Sequence, residues 1–359
     1  MRALVTGGAG FIGSHIVESL VDRGDYVRVL DNLDPRVHGD ALSAYLEKDG
    51  FIHDDVLSSS ALCEALTGDV DVVFHEAALV GLGRGARDSE LYFKTNVIGT
   101  IRLMNAIAEQ TTLPHPRLII ASSMAIYGEG AYVCNRCDTE RPGSRSVNDL
   151  AKHQWEPMCY ACGEPLCPRP VNENQPTRPD TIYAVSKLNQ ELVSLSLGRD
   201  LHIPVVALRY HNVYGPRMPR DTPYAGVASM FKSRLLAGYG PIIYEDGKQL
   251  RDFIHVRDIV QANLLVADAA EHDIAFQVFN VGTGDPHSIA DFAKELTDSL
   301  RPGTAPEIAG QFRAGDVRHI FADISKIRRL GFNPRVSFQR GVLEFAHEPI
   351  RESPRLVSV

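Results

Sequence analysis

The sequence lacks any apolar run long enough to span a bilayer, which excludes a helical membrane anchor. It also lacks a basic surplus: 37 Lys and Arg stand against 45 Asp and Glu, for a net charge of −8 and a pI near 5.9. That balance offers no broad field for phosphate backbones or anionic lipid, so neither nucleic acid nor membrane is an expected partner. Internal repeats and low-complexity tracts are missing as well. Cysteine is scarce, with six in 359 residues, yet five of the six lie between Cys134 and Cys167 and only Cys63 stands apart. What is present, 44% hydrophobic and 23% charged residues, is enough for a large core and two domains. The opening "MRALVTGGAGF" reads directly as strand and turn with no leader pattern, and a cytoplasmic protein doing small-molecule chemistry is expected.

The segment "RALVTGGAGFIGSHIVESLVDRGDYVRVLDNL" reads as apolar strand, glycine turn, amphipathic helix, second strand, and an acid at that strand's end. Gly7, Gly10 and Gly13 are evenly spaced, and Gly8, Gly10 and Gly13 also satisfy G-x-G-x-x-G. Missing β-carbons let such a turn close, let backbone N–H groups approach a pyrophosphate, and let the helix pack on the strand. The helix N-terminus, at Phe11 and Ile12, then faces the phosphates. Asp31 can accept hydrogen bonds from both adenosine ribose hydroxyls and would repel a 2′-phosphate, which favours NAD over NADP. Arg36, close by in sequence, argues the other way.

Further strand-like runs, "DVDVVFHEAA", "PRLIIASS", "IPVVALRY" and "QVFNVG", alternate with helical patterns such as "VRDIVQANLLVADAAE". The alternation implies an α/β chain with a doubly wound parallel sheet. Proline and glycine cluster in "YGPRMPRDTPYAG" and "SLRPGTAPE", which suit loops around a ligand, and "EPIRESPRLVSV" suits a loose tail. "YAVSK" sets Tyr183 and Lys187 four apart on one helix face, where the ammonium can lower the phenol's pKa toward that of a base for a sugar hydroxyl. Alone, Y-x-x-x-K is a common solvated helix face. Its weight comes from the glycine turn upstream and from Ser122 and Ser123 closing "LIIASS".

Taken together, "TGGAGFIGS", "DNL", "HEAA", "ASSMAIYG", "YAVSK", "RYHNVYGPR" and "RDFIHVRDIV" resemble the extended short-chain dehydrogenase/reductase family of nucleotide-sugar epimerases and dehydratases. The resemblance implies a Rossmann NAD-binding domain over 1–207 with 252–285 returning to it. A smaller mixed α/β nucleotide-sugar domain would take 208–251 and 286–350, with a Cys-rich insertion at 130–175 and a tail at 351–359. It implies Ser123 as the active-site serine, Tyr183 as general base and Lys187 as its partner. Asp31, Asn32, Asp55, Val56, Ala77, Ala78, Asn96 and Ser122 would join the glycine turn around NAD, together with Tyr183 and Lys187. Asn212, Arg251 and Arg313 would hold the nucleotide-sugar beside Ser123 and Tyr183, the arginines on its diphosphate. Two positions depart from the family pattern: His211 stands where "RYFN" is usual, and Val80 where galactose epimerases tend to have lysine.

Family dehydratases carry an Asp-Glu pair directly after the active-site threonine, whereas this chain has Met124 and Ala125, neither able to transfer a proton. Epimerisation at carbon 4 needs only Ser123, Tyr183, Lys187 and NAD. "VLDNLDPRVHG", "WEPMCYACGEPL" and "YEDGKQLRDFIHVRDIV" look most like bacterial dTDP-L-rhamnose 4-epimerases, with UDP-hexose or UDP-glucuronate 4-epimerases as the alternative. A uronate would want a cation near carbon 6, for which Arg84 and Arg87 are candidates. A homodimer is expected. Readings of another class are an idle NAD sensor, which has no use for the Ser/Tyr/Lys set, and a partner-binding module built on the cysteines.

The cysteines form two C-x-x-C pairs, Cys134/Cys137 and Cys159/Cys162, the second running into a glycine that suits a knuckle. Paired spacing of this kind in a reducing compartment points to a zinc-ribbon-like structural site rather than to disulfides, with Cys167 a spare or substitute ligand. Four thiolates leave zinc no open position for a substrate. Between Cys134 and Cys167 four Lys/Arg stand against five Asp/Glu, so no basic stripe supports nucleic-acid binding. His153 and Trp155 are read as surface and packing residues. The insertion interrupts the chain between Ser123 and Tyr183, so a zinc-clipped flap at the sugar pocket is expected.

Overall fold

The protein is described from a computed structural model covering residues 1–38, 50–81, 85–110, 113–137, 145–219 and 226–348. Arg84 and the 351–359 tail lie outside the described residues, as does the side chain of Arg36.

Seven parallel strands form the main sheet: β1 (Arg2–Thr6), β2 (Tyr26–Asp31), β3 (Phe51–His53), β4 (Val72–His75), β5 (Arg117–Ser123), β6 (Val205–Tyr210) and β7 (Gln277–Val281). Their spatial order is β7-β6-β5-β4-β1-β2-β3. The central strands are buried on both faces, as a parallel sheet covered by helices requires, so they read as apolar runs and not as alternations. One face packs Phe11–Asp22 and Val256–Asp268 through Ile16, Val17, Leu20, Ile259 and Val260. The other packs Ser59–Ala65, Gly99–Ala108 and Ile182–Asp200 through Leu62, Leu103, Met104 and Leu195. The expected doubly wound sheet is present.

Strand order reverses between β1 and β4, and a crevice opens there at the carboxyl ends. A second, smaller core stands beyond those ends, built on Tyr214, Phe231, Phe253, Phe292 and Phe345. Phe253 and Phe292 stack with centroids 4.5 Å apart. Next to it, Leu250–Arg251 runs between His287–Ser288 and His319–Ile320 in a three-stranded sheet.

The cysteine insertion opens with Ala131–Val133, pairs it antiparallel with Cys167–Arg169, and folds back in a short hairpin bridged between Met158 and Pro165. Its apolar centre is small, consisting of Tyr132, Cys134, Cys159 and Leu166.

Candidate active site

The glycine turn leaves β1 into the crevice. Gly7 has φ +70°, and a Cβ there would lie 2.5 Å from the backbone nitrogen of Ala77, so only glycine lets the turns after β1 and β4 meet. At Gly13 a Cβ would stand 2.2 Å from the Gly7 carbonyl oxygen. The helix Phe11–Asp22 starts with no side-chain cap and no acid in its first turn, so the amides at its N-terminus are left for an anionic ligand. At the end of β2, the buried Asp31 accepts from the Ala9 and Leu33 amides, both at 2.9 Å, and His38 Nε2 lies 3.3 Å from its Oδ1. Asn32 donates to Asp55 at 2.7 Å, and Val56 is buried against Gly99. This arrangement of glycine turn, uncapped helix end and strand-end acid could hold a dinucleotide.

Asn96 is fully buried inside a single π turn, Lys94–Ile98, and spends both ends of its amide on neighbours: Oδ1 accepts from Leu79 N, while Nδ2 donates to Leu79 O and Ser186 Oγ. It fixes the loop after Ala77 and Ala78, both of which are half-buried. Ser122 donates to Glu191 at 2.6 Å, and Glu191 pairs with Arg209 beneath the sheet's end.

Ser123 ends β5 and is in register with Tyr210 of β6. Its Oγ caps the turn Met124–Tyr127 by accepting from Ala125 N at 3.2 Å. Thr181 caps the helix Ile182–Asp200, placing Tyr183 in its first turn and Lys187 one turn on. Ser123 stands close enough to Tyr183 for its hydroxyl to favour the ionised phenol. The expected lowering by Lys187 does not appear: burial raises the phenol's pKa, and Ser123 only partly opposes it. The reason is where the ammonium points. Lys187 Nζ donates to Ala121 O at 2.7 Å and Gln190 Oε1 at 2.9 Å, and burial lowers its own pKa to about 8.

Several residues that sequence reasoning passed over complete this site. Gln190 donates to Thr100 at 3.1 Å, and Thr100 meets the fully buried His75, which bonds Thr6 at 2.7 Å on its other nitrogen. Burial lowers His75 to about 3, so it is a neutral bridge between β4 and β1. Glu76, the acid of "HEAA", accepts from Tyr210 at 2.7 Å, and burial raises it to about 7 against the pull of that bond and of Lys187. A polar pair in the otherwise apolar "VVFHEAA" was the available signal. His211 is buried with no partner among the described residues on either ring nitrogen, and desolvation takes it down to about 4 despite Asp252. Val80 is exposed.

A cavity of about 260 Å³ is lined by Gly81, Tyr92, Asp180 and Tyr183 on one side and by Arg313 and Asp316 on the other. Tyr92 donates to the Gly81 carbonyl at 2.7 Å and sets its ring 6.1 Å from that of Tyr183. Arg313 is half exposed and pairs with Asp316 at 3.3 Å. Arg251 donates to the carbonyls of Leu250, Val317 and Arg318, while Asn212 Oδ1 is buried with no partner among the described residues. A larger hollow of about 370 Å³ near Arg2, Tyr26 and Asp69 lies at the opposite, amino-terminal ends of β1 and β2, away from this chemistry.

The sequence pattern of the NAD dependent epimerase/dehydratase family matches residues 3–166 and 164–282. The chain belongs to that family. Among its members, a dTDP-L-rhamnose 4-epimerase of Burkholderia thailandensis is 35% identical over 96% of this chain and 93% of its own length. A dTDP-glucose 4,6-dehydratase of Actinoplanes is 30% identical over 96% of both chains, so family identity alone does not choose the reaction. The solved structure of a UDP-glucose 4-epimerase of Thermus thermophilus in complex with NAD is similar at a TM-score of 0.74 and 29% identity, covering 96% of this chain and 98% of that one.

The four cysteines of the two C-x-x-C pairs converge: the sulfurs of Cys134, Cys137, Cys159 and Cys162 all lie within 4.8 Å of one another, and Cys134 and Cys162 are 3.6 Å apart. All are free thiols. A tetrahedral tetrathiolate zinc has sulfurs roughly 3.8 Å apart, from bonds of about 2.3 Å. Gly163, with φ +72° and open space around it, closes the second knuckle by donating to Cys159 O at 2.8 Å. Cys167 is outside the cluster and accepts from Asn135. Among the described residues no helix is long and apolar enough to cross a membrane.

Proposed function

We propose that this enzyme interconverts nucleotide-activated hexoses epimeric at carbon 4 through a transient 4-keto sugar, using bound NAD, and that its substrate pair is dTDP-L-rhamnose and dTDP-6-deoxy-L-talose. The observation that carries the reaction is Tyr183, with Ser123 beside it, at one wall of a cavity whose other wall holds Arg313. NAD, when bound, supplies the hydride acceptor. Tyr183 takes the proton of the sugar's 4-hydroxyl with Ser123 bridging to the same oxygen. Lys187, mostly charged at neutral pH with a pKa of about 8, is the cation available to offset the burial that holds the phenol protonated. Met124 and Ala125 offer no acid or base for the elimination that a 4,6-dehydratase performs. Gly81, Ala314 and Gly315 in the wall leave room for the keto sugar to turn before reduction on its other face.

Asp180 and Asp316 line the cavity with Arg313 as its cation, a setting that suits a neutral deoxysugar better than a uronate carboxylate. That favours the rhamnose reading over UDP-glucuronate, and the Burkholderia relative points the same way. Arg251 and Arg313 take the diphosphate, and Asn212 a sugar or phosphate oxygen. The four-cysteine cluster holds one structural zinc, and the enzyme works as a cytoplasmic homodimer. Incubation with a panel of dTDP- and UDP-sugars, followed by NMR, tests the substrate. The expected result is a rhamnose-to-talose change with no net NADH. NADH accumulating in step with product would mean a dehydrogenase instead.

A further inference from the structure

The insertion grips the substrate domain through charged side chains as well as through Tyr132, which accepts from His319 N at 3.0 Å, and Val171, which packs with Ile320. Arg145 makes a bidentate pair with the buried Glu245, at 2.8 and 2.9 Å, and donates to Asp316 O at 2.6 Å. Glu156 bonds Arg318 at 3.0 Å through Nε and His319 at 2.9 Å. Arg318 is fully buried, with Glu245 and Asp246 as its other partners. Trp155 stacks on His153 and sets its ring 6.4 Å from Phe312, the residue before Arg313. The same stretch faces the other way as well. Arg313 and Asp316 line the cavity with Tyr183, and the carbonyls of Val317 and Arg318 hold the Arg251 guanidinium.

One short segment, 312–319, is therefore held from behind by the insertion and carries or orients both arginines in front. We infer that the four-cysteine module, with one zinc bound, is a clamp that sets affinity for the nucleotide diphosphate, Glu156 and Arg145 acting as positioning residues for Arg251 and Arg313. This rests on the nucleotide-sugar reading above. The module's few buried apolar residues cannot hold its shape alone, so the metal supplies the rigidity that the grip needs. NAD binds on the far side of the crevice, on the glycine turn and β2, and none of the clamp's contacts reaches it.

The full-length protein is assayed for zinc and titrated separately with dTDP, UDP and NAD by calorimetry, alongside Glu156→Gln and Cys159→Ser/Cys162→Ser. Glu156→Gln keeps every thiol and so keeps its zinc. The clamp predicts dTDP binding about tenfold weaker or more in both variants, NAD binding within about twofold of the parent, and about one zinc per chain in parent and Glu156→Gln. Unchanged dTDP affinity in Glu156→Gln, or equal losses for dTDP and NAD, overturns the clamp while leaving the function standing. Parent protein that binds dTDP yet contains no zinc overturns the metal's part. Parent protein that binds NAD but neither dTDP nor UDP overturns the nucleotide-sugar reading itself.

Discussion

Tyr210 donates its phenolic hydrogen to Glu76 at 2.7 Å, so a half-buried carboxylate stands at the end of β4 within the field of Lys187. Burial raises Glu76 from its ordinary 4.5 to about 7. The folded protein thus keeps this proton over a range where the unfolded chain has released it. Stability from this group is full below about 4.5, falls as pH rises through the window, and levels off above about 7. The limit is about 3 kcal/mol, less in practice because the side chain still meets water and Lys187 partly compensates the anion. Glu76→Gln, which can still accept from Tyr210, should flatten that slope. Urea denaturation at pH values on both sides of the window reads it, and an unchanged slope would clear Glu76 of the role.

Tyr183→Phe should abolish turnover while leaving NAD bound. In the proposed mechanism the phenol makes the proton transfer, whereas the proposed cradle for the cofactor is the glycine turn and Asp31. Removing one hydroxyl at this site costs about 1 kcal/mol of stability. Single-turnover assays and NAD titration separate the two effects. Substantial epimerisation by the variant would remove Tyr183 from the chemistry.

Gly13→Ala should weaken NAD binding sharply and destabilise the fold by about 1–3 kcal/mol, because the new methyl would stand 2.2 Å from a backbone oxygen that the neighbouring turn cannot move. Gly24→Ala is the control. Gly24 has φ +86° and nothing within 4 Å, so alanine there meets backbone strain only and NAD affinity should hold. Equal affinities in the two variants would argue that the turn at Gly13 is not where the pyrophosphate sits.

The parts of this site that were legible in the sequence are those set by local spacing. Gly7, Gly10 and Gly13, the Tyr183–Lys187 pair and the two C-x-x-C pairs each lie within one turn or one helix, and the four cysteines do converge. What was not legible depends on which strands become neighbours. Glu156 and Arg318 are 162 positions apart, and Glu76 and Tyr210 are 134 apart, so no local pattern announces either contact. The direction of the Tyr183 shift was misjudged for a related reason: helix spacing places Lys187 on the right face but does not say that Ala121 and Gln190 take up its ammonium.

Gln190 gives the last test, since it links Lys187 to the polar bridge across the sheet. Its Oε1 accepts from Lys187 at 2.9 Å and its Nε2 donates to Thr100 at 3.1 Å, which in turn meets His75. Gln190→Leu keeps the volume and removes both bonds, leaving a buried ammonium with Ala121 O and the field of Glu76. Losing a hydrogen bond to a charged group at a buried site costs about 1.5–3 kcal/mol, and the charged form of Lys187 bears that cost. Its pKa, already down at about 8, should fall further. Lys187 is the cation of the Tyr183–Lys187 pair, so with less of it charged kcat should drop by about one order of magnitude, equivalent to about 1.4 kcal/mol, with KM little changed. Glutamate at the same position restores an acceptor for the ammonium and should recover part of the rate, which a purely structural role for Gln190 would not explain. If leucine leaves the pH profile of kcat where it was, the bridge does not act on Lys187.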